Sequence, residues 1–297
     1  MNKHFPILAI LLSVFVLFSC DSKRTEEGDL LFGLDDGSVT DDPSTPTGEH
    51  TKLLKSYTFT DVDGEITSAT YTYNGTNLIS STFTEDGETT DFKVIYNGSQ
   101  ISNIEMTYND GSSISTGSFA LEYSGTQLIS SKGMFEDEGT LTQIENEFGY
   151  DDGKLSAIQT KYITEDPGNP DANITVMQLN STLNFTANNI GFWKLTTTYP
   201  ESPIALPDVV LETTFSDFDS NKNPFNTLPE IFTIATAHFT VSSNSIIGLS
   251  KNNFKNISVL VMGTNNVAEL NYEYDGEGYP TKATSALGTF TYEYIPR

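Results

Sequence analysis

Hydrophobic and polar residues alternate along most of the chain after residue 50. In residues 67–73, 92–96, 118–123 and 289–294, aromatic or aliphatic residues occupy every second position between Thr, Ser, Lys, Ala and Glu. Because successive side chains of a strand point to opposite faces, this period of two predicts strands whose large residues share one face. One segment departs from the pattern, since residues 228–237 predict a short helix with Pro229 in its first turn.

Turn dipeptides that end in Gly recur at intervals of 11 to 14 residues. They are Asp63-Gly64, Asn74-Gly75, Asp86-Gly87, Asn97-Gly98, Asp110-Gly111, Ser124-Gly125, Glu138-Gly139 and Asp152-Gly153. Asn-Gly and Asp-Gly favour type I′ hairpin turns, in which both central residues need positive φ. Each interval leaves one strand of roughly 8 to 11 residues. The predicted fold class is all-β: an up-and-down antiparallel meander of long hairpins, curved into a barrel or an open half-barrel.

The hairpins repeat one sequence unit. A tyrosine precedes the turn and a leucine or isoleucine follows it in 71–81, 94–102, 121–131 and 148–156, and 272–280 restores the Tyr-x-Tyr theme. Tyr73, Tyr96, Tyr123 and Tyr150 lie 23, 27 and 27 residues apart, or about one hairpin each. Prolines between about 165 and 230 indicate longer loops there. Because the strand pattern resumes afterwards, residues 51–297 are predicted to form a single domain.

The N-terminus predicts export and lipidation. An apolar run at 5–18 follows Lys3 and is too short to span a bilayer, as expected for a signal peptide. Leu17, Ser19 and Cys20 resemble a lipobox, so residues 1–19 are predicted to be removed and Cys20, the only cysteine, to be acylated. Acylation by two or more chains gives stable anchoring. The alternative is an ordinary secretory signal that leaves a free thiol.

Residues 20–50 predict a disordered acidic tether behind the lipidated cysteine, because their polar composition cannot bury much apolar surface. The run Lys23-Arg24-Thr25-Glu26-Glu27 resembles the charged export tags of some Gram-negative lipoproteins. The expected location is therefore the outer membrane, lipid-anchored and at the cell surface. A periplasm-facing orientation is the alternative.

The chain carries 15 basic and 40 acidic side chains, a formal net charge of −25. A polyanion of this size repels nucleic acid and anionic head groups, so we expect no nucleic-acid binding. The simplest role of this charge is to keep an exposed protein soluble.

The repeats and the lipobox together resemble a family of Gram-negative lipoproteins of unknown function with a porin-like β-fold and tyrosine/aspartate hairpin repeats. The segments 215–225 and 274–282 also carry the resemblance, which covers most of 51–297. The family has no established catalytic residues, so the resemblance implies a fold and a location but no active site.

A membrane-spanning barrel is not expected, because such strands need a sustained lipid-facing apolar band. Ser and Thr interrupt both faces of several strands, as in 78–84. We expect a curved sheet or barrel with its Tyr and Phe face inward. We expect these aromatic residues to form the hydrophobic core. The alternative is that they line a concavity that binds a ligand.

Few residues of the chain could act in catalysis or bind a metal. The mature chain has His50 and His238, and His238 lies in an apparent strand, so we expect a structural histidine and no enzyme. Residues 217–223 repeat oxygen ligands like the opening of a calcium loop, but Lys222 replaces the required Gly and Leu228 the bidentate Glu. We expect no calcium site, no other metal and no cofactor.

The predicted function is a non-catalytic binding or interaction module. Loops around 165–230, with an exposed aromatic cluster that includes Trp193, would meet a glycan or an envelope protein. The alternative is a periplasm-facing scaffold or a carrier that shelters an acyl chain. Ligand identity, barrel closure, exact strand count and oligomeric state stay open at this point.

Overall fold

The computed structural model describes residues 50–297, with gaps at 138, 167, 203–205 and 240–243. The predicted signal peptide, Cys20 and tether lie outside the described residues. The strands are β1 (Lys52–Asp61), β2 (Ile66–Asn74), β3 (Asn77–Glu85), β4 (Glu88–Asn97), β5 (Gln100–Asn109), β6 (Ile114–Ser124), β7 (Gln127–Asp137), β8 (Thr140–Asp151), β9 (Lys154–Asp166), β10 (Asn169–Thr186), β11 (Asn189–Thr198), β12 (Val209–Lys222), β13 (Asn252–Val261), β14 (Thr264–Glu269), β15 (Asn271–Tyr274), β16 (Pro280–Ser285) and β17 (Gly288–Pro296). Three short helices separate β12 from β13: a 3₁₀ helix (Pro224–Thr227), α1 (Glu230–Ala235) and α2 (Asn244–Ile247).

The strands form one antiparallel meander that curls into a nearly closed barrel. From β1 to β14 and from β15 to β17, each strand pairs with the next, and β17 pairs with β1. β14 pairs with β13 and β15 pairs with β16, which leaves one seam at Leu270. The predicted all-β meander is confirmed, and the barrel is closed except at this seam.

One backbone hydrogen bond and two tyrosine side chains bridge part of the seam. Leu270 N donates to Lys255 O at 2.7 Å, and the Tyr272 hydroxyl donates to Phe254 O at 3.0 Å. Beyond them the Tyr274 hydroxyl donates to the carboxylate of Asp219 on β12. Tyrosine hydroxyls therefore replace ladder hydrogen bonds between β15 and the wall on its other side.

A meander places alternate turns at opposite ends of the barrel, and the two ends differ. The turns after β2, β4, β6, β8 and β10 lie at one end, together with the start of β1 and the end of β17. We call this end the tyrosine rim. The turns after β1, β3, β5, β7 and β9 lie at the other end, which we call the acidic rim.

Two turn types connect the strands. Asp86-Gly87 and Asp152-Gly153 have positive φ at both positions, as predicted for type I′ turns. In the turns at Gly75, Gly98 and Gly125 only the glycine has positive φ, and the residue before it already pairs with the next strand. The type I′ prediction is therefore wrong for Asn74-Gly75 and Asn97-Gly98, which, like Ser124-Gly125, follow the type II′ pattern with Gly at the first central position. It is also wrong for Asp63-Gly64 and Asp110-Gly111, where only the glycine has positive φ.

The large side chains point inward and the charges outward. The buried set includes Tyr57, Phe92, Phe119, Ile144 and Ile158. Ion pairs join neighbouring strands on the outer face: Lys93 to Glu105 (2.8 Å), Lys132 to Glu145 (2.6 Å) and Lys194 to Glu212 (2.9 Å). The inward-facing Tyr and Phe residues are as predicted. A membrane-spanning barrel would instead need a band of apolar side chains on its outer face.

Two element predictions have different outcomes. The helix predicted in 228–237 is present as α1, with Pro229 at its N-cap. The longer loops predicted for about 165–230 are mostly strand, because β10, β11 and β12 fill that stretch. Several of its prolines stand between elements: Pro200 and Pro207 lie in the β11–β12 connection, and Pro224 begins the 3₁₀ helix. There they remove no ladder hydrogen bond.

Candidate functional site

The segment between β12 and β13 turns into the barrel. Its aromatic residues pack on strands from several sides of the wall, with ring centroids 4.4 to 5.9 Å apart: Phe225 on Tyr57 of β1, Phe232 on Phe92 of β4 and Phe239 on Phe119 of β6. Because these strands lie at different places around the sheet, the segment lies inside it. We call residues 223–239 and 244–251 the plug.

Asn223 fixes the plug where it enters at the tyrosine rim. Its side-chain oxygen accepts a hydrogen bond from Phe225 N at 3.0 Å and so caps the 3₁₀ helix. Its amide nitrogen donates to Ile247 O at 2.8 Å and Ser250 O at 2.9 Å. One side chain therefore joins the two ends of the plug.

His238 joins the plug to the wall deeper in the barrel. Its Nδ1 lies 2.7 Å from Thr160 Oγ1 on β9, and its Nε2 lies 2.7 Å from Ser181 Oγ on β10. Thr160 is fully buried and Ser181 is 2% exposed. The imidazole therefore bridges two neighbouring strands.

The contact extends across the wall. Thr160 Oγ1 donates to Asn146 Oδ1 at 2.5 Å, and Asn146 Nδ2 donates to Ser131 Oγ at 2.8 Å. On the other side Trp193 Nε1 donates to Ser181 Oγ at 2.9 Å. Five strands from β7 to β11 thus supply one buried polar network.

One arrangement of hydrogens satisfies this network. The Thr160 hydroxyl proton goes to Asn146, so Thr160 accepts from His238 Nδ1–H. His238 Nε2 is then unprotonated and accepts from Ser181, whose oxygen accepts the Trp193 N–H. Burial lowers the pKa of His238 to about 4, which keeps the ring neutral. Protonation of Nε2 would leave the Ser181 hydroxyl proton without its acceptor.

Ser181 and His238 have the spacing of a nucleophile and its base, but their surroundings differ from those of a catalytic triad. His238 Nδ1 meets a threonine rather than a carboxylate, and Ser181 Oγ already accepts from Trp193. In this arrangement both ring nitrogens of His238 and the Ser181 hydroxyl already have hydrogen-bond partners, and the pair holds the plug. His238 follows α1 instead of lying in a strand, so that part of its prediction is wrong.

Two residues of the calcium-like motif, Asp219 and Asn223, have hydrogen-bond partners of their own. Asp219 accepts from Asn221 N at 2.9 Å and from the Tyr274 hydroxyl, while Asn223 holds the plug. Within the described parts of 50–297, no three His, Cys, Asp or Glu residues form a group that could hold a metal. The predicted absence of calcium binding stays a prediction.

A row of hydroxyl-to-backbone hydrogen bonds lines the tyrosine rim. Each repeat tyrosine donates to a carbonyl of the preceding hairpin: Tyr73 to Leu54 (2.8 Å), Tyr96 to Leu78 (3.0 Å), Tyr123 to Ile101 (2.5 Å) and Tyr150 to Leu128 (2.9 Å). Beside each of these tyrosines the strand pairing shifts by one residue, as at a β-bulge. Burial raises the pKa of Tyr123 and Tyr150 to about 12, so both remain donors.

Carboxylates crowd the acidic rim. Its turns and strand ends carry Asp61, Asp63, Glu65, Glu85, Asp86, Glu88, Asp110, Glu136, Asp137, Glu165, Asp166 and Asp171. Burial, and then the neighbouring Asp86 and Glu88, raise the pKa of Glu85. Asp110 differs, because backbone N–H groups of Ser113 and Ser112 lower its pKa to about 2.

The chain enters the described domain at the tyrosine rim through His50, Thr51 and Lys52, which we call the tether root. The Tyr279 hydroxyl accepts from Thr51 N at 2.9 Å and Lys52 N at 3.3 Å. Lys52 Nζ lies 2.7 Å from both Asp275 and Glu277, and these hydrogen bonds raise the pKa of Lys52 to about 12. The tether root is therefore held by the β15–β16 connection.

Two residues, Trp193 and His50, lie in surroundings other than those predicted. Trp193 was expected in an exposed aromatic cluster, but it is 7% exposed and faces the barrel interior, so that prediction is wrong. His50 was placed in the tether, and its Nε2 lies 3.2 Å from Asn226 Oδ1 of the plug. The described residues contain no helix long and apolar enough to cross a bilayer.

Comparison with solved structures supports the fold. The chain matches no protein-family model and no curated protein. It is similar to the crystal structure of a porin-like protein from Bacteroides vulgatus, at 11% identity and a TM-score of 0.50, over 83% of this chain and 100% of that one. A porin-like protein from Bacteroides uniformis has 12% identity and a TM-score of 0.49, over 82% and 96% of the chains. At this identity the likeness shows a porin-like β-fold and no function.

Proposed function

We propose that the protein is a lipid-anchored component of the outer membrane whose barrel is a non-catalytic binding or interaction module at the cell surface. Cys20 is the acylated residue in this proposal. A glycan or an envelope protein is the expected partner, and neither a cofactor nor nucleic acid is required.

The observation that carries the proposal is the occupied interior. The plug packs aromatic rings on the wall and commits His238 to two part-buried hydrogen bonds, so it occupies the interior of the nearly closed barrel. This arrangement argues against an open channel and against a carrier that shelters an acyl chain. Binding would then use outer surfaces and turns.

The outer face supports anchoring by lipid rather than by strands. Lys93 and Lys132, whose side chains are 66% and 63% exposed, stand within strands on the outer wall. Charged side chains at the centre of a bilayer are costly for a β-barrel. A protein of this kind needs a separate anchor to stay on a membrane, and an acylated Cys20 would supply it.

Protease accessibility on intact cells tests the proposal. The wild-type chain is compared with a Cys20→Ala variant and with a known periplasmic protein. We expect rapid digestion of the barrel while the periplasmic control stays intact, and release of the variant from the membrane fraction. Protection until the outer membrane is permeabilised would instead favour the periplasm-facing scaffold.

Partner binding needs a separate assay. The full mature chain is immobilised and exposed to a glycan array and to detergent-solubilised envelope extract, with a heat-unfolded sample as the control. Saturable binding that only the folded sample shows is expected. Repeated failure on both would remove the binding-module part of the proposal.

A further inference from the structure

The charge of the described barrel is distributed unevenly between its rims. The connections at the acidic rim, which follow β1, β3, β5, β7, β9, β11, β13 and β16, contain no Lys, Arg or His. At the tyrosine rim, the turns after β2, β4, β6 and β10 carry no charge at all. The remaining charges there nearly balance: Lys52, Lys154, Lys222, Lys251 and Arg297 lie among Asp151, Asp152, Asp219, Glu230, Asp275 and Glu277. The excess negative charge therefore gathers at the acidic rim.

The chain reaches the barrel from the opposite end. Thr51 and Lys52 are held by Tyr279, and Arg297 N donates to Thr51 O at 2.9 Å. Any anchor placed before residue 50 is therefore connected to the tyrosine rim.

We infer that the tyrosine rim is the face that meets an anionic lipid surface and that the acidic rim is turned away from it. This inference rests on the proposed lipid anchor. Anionic head groups repel the carboxylates of the acidic rim. At the tyrosine rim there is no comparable excess of negative charge to repel. Screening over about 8 Å at physiological salt means that the rim nearest the lipid dominates this energy.

Charge, and not tether length, selects this orientation. The 29 residues 21–49 can span at most about 100 Å, which lets either rim approach the surface. The acidic rim is then the surface left to envelope partners, since repulsion keeps it away from the lipid.

Fluorescence quenching in vesicles tests the orientation. Gln100→Cys labels the tyrosine rim and Val62→Cys labels the acidic rim, and both replace exposed neutral residues. Each acylated full-length variant carries the same fluorophore and is placed in phosphatidylethanolamine–phosphatidylglycerol vesicles with a nitroxide on the lipid head group. We expect about threefold stronger quenching at position 100, falling toward equality in phosphatidylcholine vesicles. Equal quenching in anionic vesicles, or stronger quenching at position 62, would overturn the inference.

A charge control separates repulsion from geometry. Neutralising Glu65→Gln and Glu136→Gln on the acidic rim should reduce the difference between the two labels. The matched changes Glu105→Gln and Glu147→Gln on the outer wall should leave it in place. An unchanged difference after the rim substitutions would contradict the electrostatic cause.

The proposed anchor and the proposed orientation can fail separately. If the expressed chain does not float with vesicles, lipidation fails. The two variants, now with Cys20→Ala so that each carries a single labelled thiol, are then captured through an N-terminal hexahistidine tag on a nickel-chelating lipid in the same vesicles. Their quenching decides the orientation without an acyl group.

Discussion

The two rims of the barrel show how one repeat unit can build two different surfaces. Going along the chain, acidic turns such as Asp86-Gly87 alternate with uncharged turns such as Asn97-Gly98. Because a meander sends alternate turns to opposite ends, this alternation in sequence becomes a separation in space. The tyrosine rim is held by directional hydrogen bonds, the plug and the tether root, while the acidic rim collects like charges. The contacts that order the chain are therefore concentrated at the tyrosine rim, and the excess negative charge is concentrated at the acidic rim.

The largest expected effect comes from removing the contact between the plug and the wall. His238→Ala should lower the free energy of unfolding by about 5 kcal/mol, because Thr160 and Ser181 lose buried partners and a cavity forms. Urea unfolding measures the change. His50→Ala at the half-exposed tether root is the control, with an expected loss of about 1 kcal/mol. Similar losses for the two variants would mean that His238 does not fix the plug.

Removing the tyrosine hydroxyls would test the ordering of the tyrosine rim. Replacing Tyr73, Tyr96, Tyr123 and Tyr150 together by Phe should cost about 4 kcal/mol, since each lost hydrogen bond is worth about 1 kcal/mol. The matched change Tyr108→Phe removes a hydroxyl that donates to Glu88 near the acidic rim and should cost about 1 kcal/mol. A fourfold variant that loses no more than the single control would show that the row of tyrosines is not a source of stability.

Acid should lower the free energy of unfolding in a defined pH range. The pKa of His238 is about 4 in the folded protein, below its ordinary value of 6.5, so the unfolded chain binds more protons between these values. Stability is therefore complete above pH 6.5 and falls by about 3 kcal/mol as the pH is lowered to 4. The difference between wild type and His238→Ala isolates this contribution from the carboxylates. A difference that stays constant from pH 7 to pH 4 would contradict the buried neutral ring.

The smallest effect should come from relieving repulsion at the acidic rim. Burial and the nearby Asp86 and Glu88 raise the pKa of Glu85, so the fold disfavours its charged form. Glu85→Gln should therefore raise the free energy of unfolding by about 0.5 kcal/mol at pH 7. Glu147→Gln on the outer wall is the control and should change it less. A clear loss of stability in Glu85→Gln would show that the carboxylate makes a favourable contact in the folded state.

Much of the wall could be predicted from the sequence. The period-two alternation and the Gly turns predict the meander, and Tyr73, Tyr96, Tyr123 and Tyr150 mark its repeats. The turn types could not be assigned from the dipeptides alone, because they depend on pairing register. Asn74-Gly75 and Asp152-Gly153 differ in where the glycine falls after the tyrosine, which decides whether one or two positions have positive φ.

The interior was harder to predict, because its polar contacts join residues distant in sequence. Ser131, Asn146, Thr160 and Ser181 occupy inward positions, where period-two patterning expects apolar side chains. Their polarity was a readable signal of an internal partner, but His238 lies 78 residues after Thr160 and 57 after Ser181. Only the folded barrel shows that this histidine satisfies them.

Hydrogen exchange on the folded full-length chain is the most direct test of the central claim that the plug belongs to the core. Amides of α1 and of the residues around His238 should exchange as slowly as those of β9 and β10, through global unfolding. The turns of the acidic rim should exchange much faster. Exchange of α1 within seconds, while β9 and β10 stay protected, would contradict a plug that is fixed in the barrel.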